Sequence, residues 1–306
     1  MRRERGVAVL TAVLVVAVAA SVATFMLAQQ SAMIDQVTLL ASRAQADLYA
    51  DAGLDWARGV LAEDGRRAGT IDHLGESWAQ PIVGLPVERA IVAGAIVDEQ
   101  GKFNLNNLAM RNDIDVKILR RILESVGLAP DLADAVRDWI DADDDLFGPG
   151  GAENAYYLSR ARPYRAANQR IAQVEELLRV RGFDAAALAR LRPHVTALPA
   201  TGRTTVNVNT ASEVVLDAVF EGKVPRDAIA ARIAQRRAKP LQSAADIAQW
   251  AARAEPRVLS ELAVRSDYFS VRVQVAQDDV EVATDALLQR DPQRGTTTFV
   301  WRRPVF

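Results

Sequence analysis

The chain has 306 residues, half of them hydrophobic and a quarter charged, with a formal net charge of −2 and no cysteine. That is enough for one membrane helix and one or two packed domains. A near-neutral balance gives no global attraction for nucleic acid or anionic lipid, and without cysteine neither disulfides nor thiolate metal sites can form.

The chain opens with a short basic leader, Met1-Arg2-Arg3-Glu4-Arg5-Gly6. Residues 7–27 follow, apolar apart from Thr11, Ser21 and Thr24, and no charge appears after Arg5 until Asp35. A membrane-spanning helix needs roughly 20 mainly apolar residues, and this run supplies them. Arg2, Arg3 and Arg5 ahead of the span place the N-terminus in the cytoplasm and the remainder across the membrane, in the periplasm. Beyond the span, Val37, Leu40, Ala44, Leu48, Ala52, Trp56 and Val60 recur at helical spacing. One continuous helix of about 55 residues is expected, on the order of 80 Å long at about 1.5 Å per residue. A secretory signal cut near Ala17-Val18-Ala19 is the competing reading. The apolar run is longer than the usual ~7–15 residues of such a signal, and the amphipathic pattern continues past it.

The charged, glycine-containing residues 63–69 should end this helix. Residues 70–88 read as loop with one short strand, and residues 89–98 as a strand carrying Ile91, Val92, Ile96 and Val97, closed by a turn at residues 99–102. From residue 104 the pattern becomes helical. Ile118, Ile122 and Val126 mark one helix. Leu132, Ala135, Val136, Trp139 and Ile140 mark another, with Asp131 as its N-cap. Residues 172–182 and 184–191 add two more. Residues 206–212 open a segment resembling helix-hairpin-helix units, with helices at 228–237 and 244–252. Its turn, Glu221-Gly222-Lys223-Val224-Pro225, has one glycine and a proline that donates no N–H. That weakens it as a phosphate grip and favours protein packing. Phe269, Val271, Val273 and Val275 alternate with polar residues as a half-buried strand. Turns at 277–279 and 291–295 divide a C-terminal antiparallel meander that should pair with residues 91–97 and pack on the long helix, with Leu48 and Trp56 as core contacts. The expected divisions are a leader at 1–6, a long helix at 7–62 (spanning at 7–28), a first head segment at 63–103, a helical insert at 104–202, the hairpin-like segment at 203–262 and C-terminal strands at 263–306. The fold class is α+β: a long helix on an antiparallel sheet, with a large all-helical insert.

The densest acidic stretch is Asp138-Trp139-Ile140-Asp141-Ala142-Asp143-Asp144-Asp145, followed by Gly148-Pro149-Gly150-Gly151-Ala152-Glu153. Carboxylates crowded on one loop repel unless solvated or bridged, and Ca²⁺ takes about 6–8 oxygen ligands. Asp141, Asp143 and Asp145 have the opening spacing of an EF-hand. Leu146 stands where that loop needs glycine, and Glu153 comes one residue late. A different calcium loop, or a solvated one, is what remains. His73 and His194 lack any metal-ligand spacing, and the glycine-rich and nucleophile motifs of the common enzyme classes are missing. A non-enzymatic protein is expected.

The leader, with Gly6 followed by Val7, resembles that of type IV pilins and of the pseudopilins of type II secretion, where a prepilin peptidase cuts after the glycine. The glutamate usual at the fifth mature position is replaced by Thr11, a habit of the K-subunit minor pseudopilins. Residues 102–108 (Lys-Phe-Asn-Leu-Asn-Asn-Leu), Asp138-Trp139-Ile140-Asp141-x-Asp143, residues 150–157 and residues 206–212 also resemble that family, in order along nearly the whole chain. The resemblance implies a pilin-like head carrying a helical insert. It implies residence in the inner membrane and a place at the pseudopilus tip with the I and J minor pseudopilins. It implies calcium in the insert, with Asp138, Asp141, Asp143, Asp145 and Glu153 as the corresponding candidates. It also implies cleavage between Gly6 and Val7, with methylation of the new terminus, and no nucleic acid partner. The alternative is a DNA-uptake pilin that binds DNA through the hairpin-like segment.

Overall fold

The structure is a computed structural model that describes residues 3–66, 71–252, 254–291 and 294–305. Met1 and Arg2 of the leader lie outside the described residues, and side chains are described from Val9 onward. Helix α1, Arg3–Gly65, runs unbroken for 63 residues, about 95 Å at about 1.5 Å per residue. Gly6 and Val7 both lie within it. Its first half is bare: the apolar side chains from Val9 to Leu40 are exposed. The hydroxyls of Ser21 and Thr24 donate to the carbonyls of Ala17 and Ala20, at 2.8 and 2.9 Å. Both hydroxyl hydrogens are thereby satisfied within the helix itself.

The second half of α1 lies on a five-stranded antiparallel sheet. The strands are β1 (Ile82–Val87), β2 (Ala90–Asp98), β7 (Tyr268–Gln277), β8 (Val280–Asp291) and β9 (Thr296–Val305), in the spatial order β1-β2-β7-β8-β9. The meander does pair with residues 91–97: Ile91 faces Ala276 and Val97 faces Ser270. Phe269, Val271, Val273 and Val275 point into the core, as their alternation predicts. The edges are guarded against further pairing. Strand β1 is irregular between Ile82 and Leu85, with Gly84 at φ 66°, and β9 carries Pro304.

The helix stripe that meets the sheet differs from the expected one. Ala46, Ala50, Leu54, Ala57 and Leu61 are buried, whereas Leu48 is 68% and Trp56 52% exposed. The buried positions recur every three or four residues and are mostly alanine. Small side chains let the helix backbone approach the sheet closely. Gly53 shows how closely, since a Cβ there would come within 2.9 Å of Val273 Cγ1. Two apolar stripes run along this helix, and size does not identify the one that packs at home.

Between β2 and β7 the chain builds a helical block. Its helices are α2 (Asp113–Ser125), α3 (Leu132–Ile140), α4 (Asn154–Leu158), α5 (Ala185–Leu191), α6 (Glu213–Val219), α7 (Arg226–Gln235), α8 (Ala244–Trp250) and α9 (Pro256–Leu259). Short parallel pairs, β3 (Phe103–Asn104) with β4 (Val195–Thr196) and β5 (Val206–Asn207) with β6 (Leu262–Ala263), tie it together. One apolar cluster runs from Phe103 to Leu262, so residues 104–202 and 203–262 share a core. Within 172–182 the expected helix is the tighter 3-10 turn Val174–Arg179, entered through a capping box between Gln173 and Glu176. Asp131 does precede α3, but its side chain makes no capping bond.

Candidate metal centre and interdomain joint

Helix α3 carries Asp134 and Asp138 on one buried face, four residues apart, and ends at Ile140 with Asp141 as its C-cap. The chain then doubles back over the helix. Asp138 accepts the backbone N–H of Phe147 at 3.0 Å and of Ala152 at 2.8 Å. Asp134 accepts from Arg120 at 2.5 Å and from the Gly150 N–H at 3.3 Å. The glycines permit this closeness. A Cβ on Gly151 would lie 2.4 Å from Asp138 Oδ2, and one on Gly150 would lie 2.1 Å from the Asp131 carbonyl oxygen.

Of the five residues proposed from sequence, the loop buries three: Asp138, Asp141 and Glu153. Asp143 sits half-buried at the rim and Asp145 is exposed, near enough to raise the pKa of Asp141. Glu153 is 3% exposed, yet neither of its carboxylate oxygens has a hydrogen-bond partner. Asp141 Oδ1 is likewise buried without one. Burial first, and then the charges of Asp138, Asp141 and Asp144, push Glu153 up to about 7. Burial also lifts Asp138 to about 6, against the pull of its two N–H donors. Asp141 is raised by burial and partly restored by Arg111 and Arg137.

Three buried carboxylate oxygens without donors, among carboxylates that disfavour one another's ionisation, have the chemistry to hold a hard divalent cation, although the oxygens of Asp138, Asp141 and Glu153 do not all converge to within 4.8 Å. Sequence reasoning missed the supporting residues. Asn154 donates to Asp144 at 2.5 Å, and Asn168 to the Asp143 carbonyl at 3.1 Å. Arg111 pairs with Asp143, and Arg137 stacks over Phe147 with 3.6 Å to the ring centroid. Arg137, next to Asp138, and Asn154, inside the Gly-Gly-Ala-Glu-Asn run, lie beside the acidic stretch in sequence, whereas Arg111 and Asn168 are brought to it by the fold.

A second acidic group was not foreseen. Oxygens of Asp64, Asp72 and Glu76 lie within 4.8 Å of one another. Here the counter-charge is already present. Arg290, buried, donates to Asp64 at 2.7 Å, to Asp72 at 2.5 Å and to the Ser266 carbonyl at 2.6 Å. Next to it, Asp98 Oδ2 accepts from Asn207 (2.9 Å), Thr210 (2.6 Å) and Ser266 (2.7 Å). Glu99 accepts from Thr196 at 2.6 Å and from Ser270 at 2.7 Å. This polar joint fastens the end of α1, the sheet and the helical block at one place.

The hairpin-like segment turns inward. Glu221 and Gly222 adopt left-handed backbone angles (φ 53° and 68°), and a Cβ on Gly222 would meet Arg121 at 2.5 Å. Arg236 is buried and donates to the carbonyls of Ala211 and Thr210, while Arg237 donates to Gln80 at 2.7 Å. These cations hold the fold together instead of lining an exposed phosphate track.

Two family models described as type II secretion system (T2SS) protein K match residues 101–200 and 206–272. Type II secretion system protein K of Pseudomonas aeruginosa is 40% identical over 236 residues, covering 72% of this chain and 70% of the relative. The chain belongs to the type II secretion system protein K family. The K protein of Pectobacterium carotovorum is 29% identical over 312 residues, covering 95% and 94% of the two chains. A chain in the crystal structure of the GspK-GspI-GspJ complex from the enterotoxigenic Escherichia coli Type 2 Secretion System superposes with a TM-score of 0.75 at 26% identity, covering 86% of this chain and 97% of that one. The K-family match is shared by sequence and fold, and it makes this chain a minor pseudopilin. The hairpin-like segment falls inside the second K-family match, so the comparisons give no support to the DNA-uptake alternative.

Proposed function

We propose that this minor pseudopilin caps the pseudopilus in the company of two further pilin-like subunits, the I and J minor pseudopilins. The capped filament would serve protein export across the outer membrane, and the K subunit would have no catalytic role of its own. The observation that carries this reading is the continuous α1, bare and apolar in its first half and sheet-bound in its second. Among the described residues it is the helix long and apolar enough to cross a membrane. In this reading the span lies in the inner membrane and the head in the periplasm. A prepilin peptidase removes the leader between Gly6 and Val7, and methylation of Val7 follows. The rod then leaves the bilayer by exchanging lipid for the apolar flanks of sister rods. Transfer between two apolar settings costs far less than exposure to water.

Thr11 carries no charge where related subunits use glutamate to meet the terminal amine of the subunit ahead. A subunit with nothing ahead of it has no use for that contact. The relative with the matching fold is part of a GspK-GspI-GspJ complex, which supports the same partners here. Ca²⁺ would be held in the 138–153 loop by Asp138, Asp141 and Glu153, with Asp143, Asp145 and loop carbonyls completing the oxygen set. Its charge would offset the buried carboxylates and fix the loop on α3. The deciding experiment is site-specific crosslinking in cells that contain the I and J subunits. Crosslinks from the exposed α1 positions Leu48 and Trp56 to one of those subunits support the reading. Crosslinks from these positions to neither subunit, in cells where both are present, overturn it.

A further inference from the structure

Besides Arg181, which donates to the Gly151 carbonyl at 2.9 Å, two guanidinium groups face the carboxylates of the acidic loop, and they differ in freedom. Arg137 is 11% exposed and is clamped over the Phe147 ring, so it is a fixed part of the wall. Arg111 is 52% exposed and reaches the loop from a separate element. It caps the 3-10 turn Leu105–Met110 with a left-handed backbone (φ 53°), a conformation that L residues seldom adopt. That turn aims its side chain at Asp143 Oδ2, with Asp141 Oδ2 3.9 Å away. The other Asp143 oxygen already accepts the Asp145 N–H at 2.9 Å. Both Asp143 oxygens are therefore occupied, and the solvent-exposed partner is Arg111.

From this arrangement we propose that Arg111 is a built-in competitor for the divalent cation of the 138–153 loop. The inference rests on the calcium reading above. In the metal-free chain Arg111 supplies one positive charge at the rim and keeps Asp141 and Asp143 from repelling each other. A divalent ion held by Asp138, Asp141 and Glu153, with Asp143 at its rim, brings twice that charge, and like charges a few ångströms apart repel. Arg111 must then swing into solvent, for which its exposure leaves room. Arg137 cannot follow, and Glu153, with both oxygens unpartnered, lies in the buried part that Arg111 leaves untouched. Arg111 thus sets how much calcium is needed to fill the loop, while Glu153 decides whether the loop can be filled.

The test compares the full-length, detergent-solubilised chain with Arg111→Gln and Arg111→Met, both neutral, and with Arg111→Lys, which keeps the charge. Circular dichroism establishes that each variant is folded. Calcium chloride titration by calorimetry, and melting in calcium or in a chelator, are the readouts. The expected result is calcium binding about three- to tenfold tighter for both neutral variants, with Arg111→Lys near wild type. Their melting in chelator should fall below wild type, and the difference should close in calcium. A purely structural role for Arg111 could lower stability but could not tighten binding. Unchanged or weaker calcium binding in the neutral variants, with wild type binding normally, overturns the proposal and leaves the calcium reading standing. Wild type that binds no calcium overturns both.

Discussion

Glu153 buries a carboxylate with no donor on either oxygen, and an uncompensated buried charge is costly. Glu153→Gln is therefore expected to melt at or above wild type in chelator and to lose the calcium-induced rise in melting temperature. Differential scanning calorimetry with and without calcium checks both. Asp98 poses a different problem. Its carboxylate has four donors, including the Gln100 N–H at 2.8 Å, yet burial lifts it from 3.8 to about 6. The folded chain therefore binds this proton more tightly than the unfolded one. Stability attributable to Asp98 falls as pH rises from about 4 to about 6, and Glu76, lifted to about 7 mainly by burial, extends the decline. Asp98→Asn should flatten the pH 4–6 part of the curve, measured by urea unfolding in chelator. At pH 7 it should also lower stability by about 1–3 kcal/mol, because the amide keeps one acceptor oxygen where Asp98 has two: with that oxygen in place of Oδ2, its NH2 faces the Gln100 N–H that Oδ1 now accepts.

At the scale of elements, the rod-and-sheet contact makes opposite demands on neighbouring helix positions. Leu54→Ala should destabilise the head by about 2–5 kcal/mol, and Ala50→Leu by about 1–3 kcal/mol through overpacking against the sheet. Leu48→Ala and Trp56→Ala should each stay within about 0.5 kcal/mol, since both side chains are exposed. Chemical denaturation of the four variants checks the ranking. The same contrast shows what was legible in the sequence. Helical spacing in 37–60 and alternation in 269–275 come from local geometry, so the rod and the meander could be read directly. The packing stripe could not, because Ala46, Ala50 and Ala57 carry little hydrophobic signal and matter through closeness of approach. The acidic loop was legible because its carboxylates are adjacent in sequence. Arg111 was not, being brought to Asp143 only by the fold. The joint was hidden for the same reason, as Asp98 meets Asn207 across 109 positions and Asp72 meets Arg290 across 218.

For the whole molecule, mass spectrometry of the protein from its native membrane should give a chain beginning at Val7. Intact Met1 or a cut near Ala19 would contradict peptidase maturation. If the uncharged Thr11 reflects a terminal position, Thr11→Glu should allow the subunit to appear along the filament shaft, scored by immunogold labelling. Unchanged placement would assign the terminal position to the bulk of the helical block instead. That block has one further property. Its chain leaves the sheet after Asp98 and returns by Phe269, and these two residues sit opposite each other on adjacent antiparallel strands. A tight turn of a few residues could join them directly, so the block is topologically a detour. Excising it and closing the hairpin should leave α1 on an uninterrupted five-stranded sheet, with Asp98 stripped of its Asn207 and Thr210 donors.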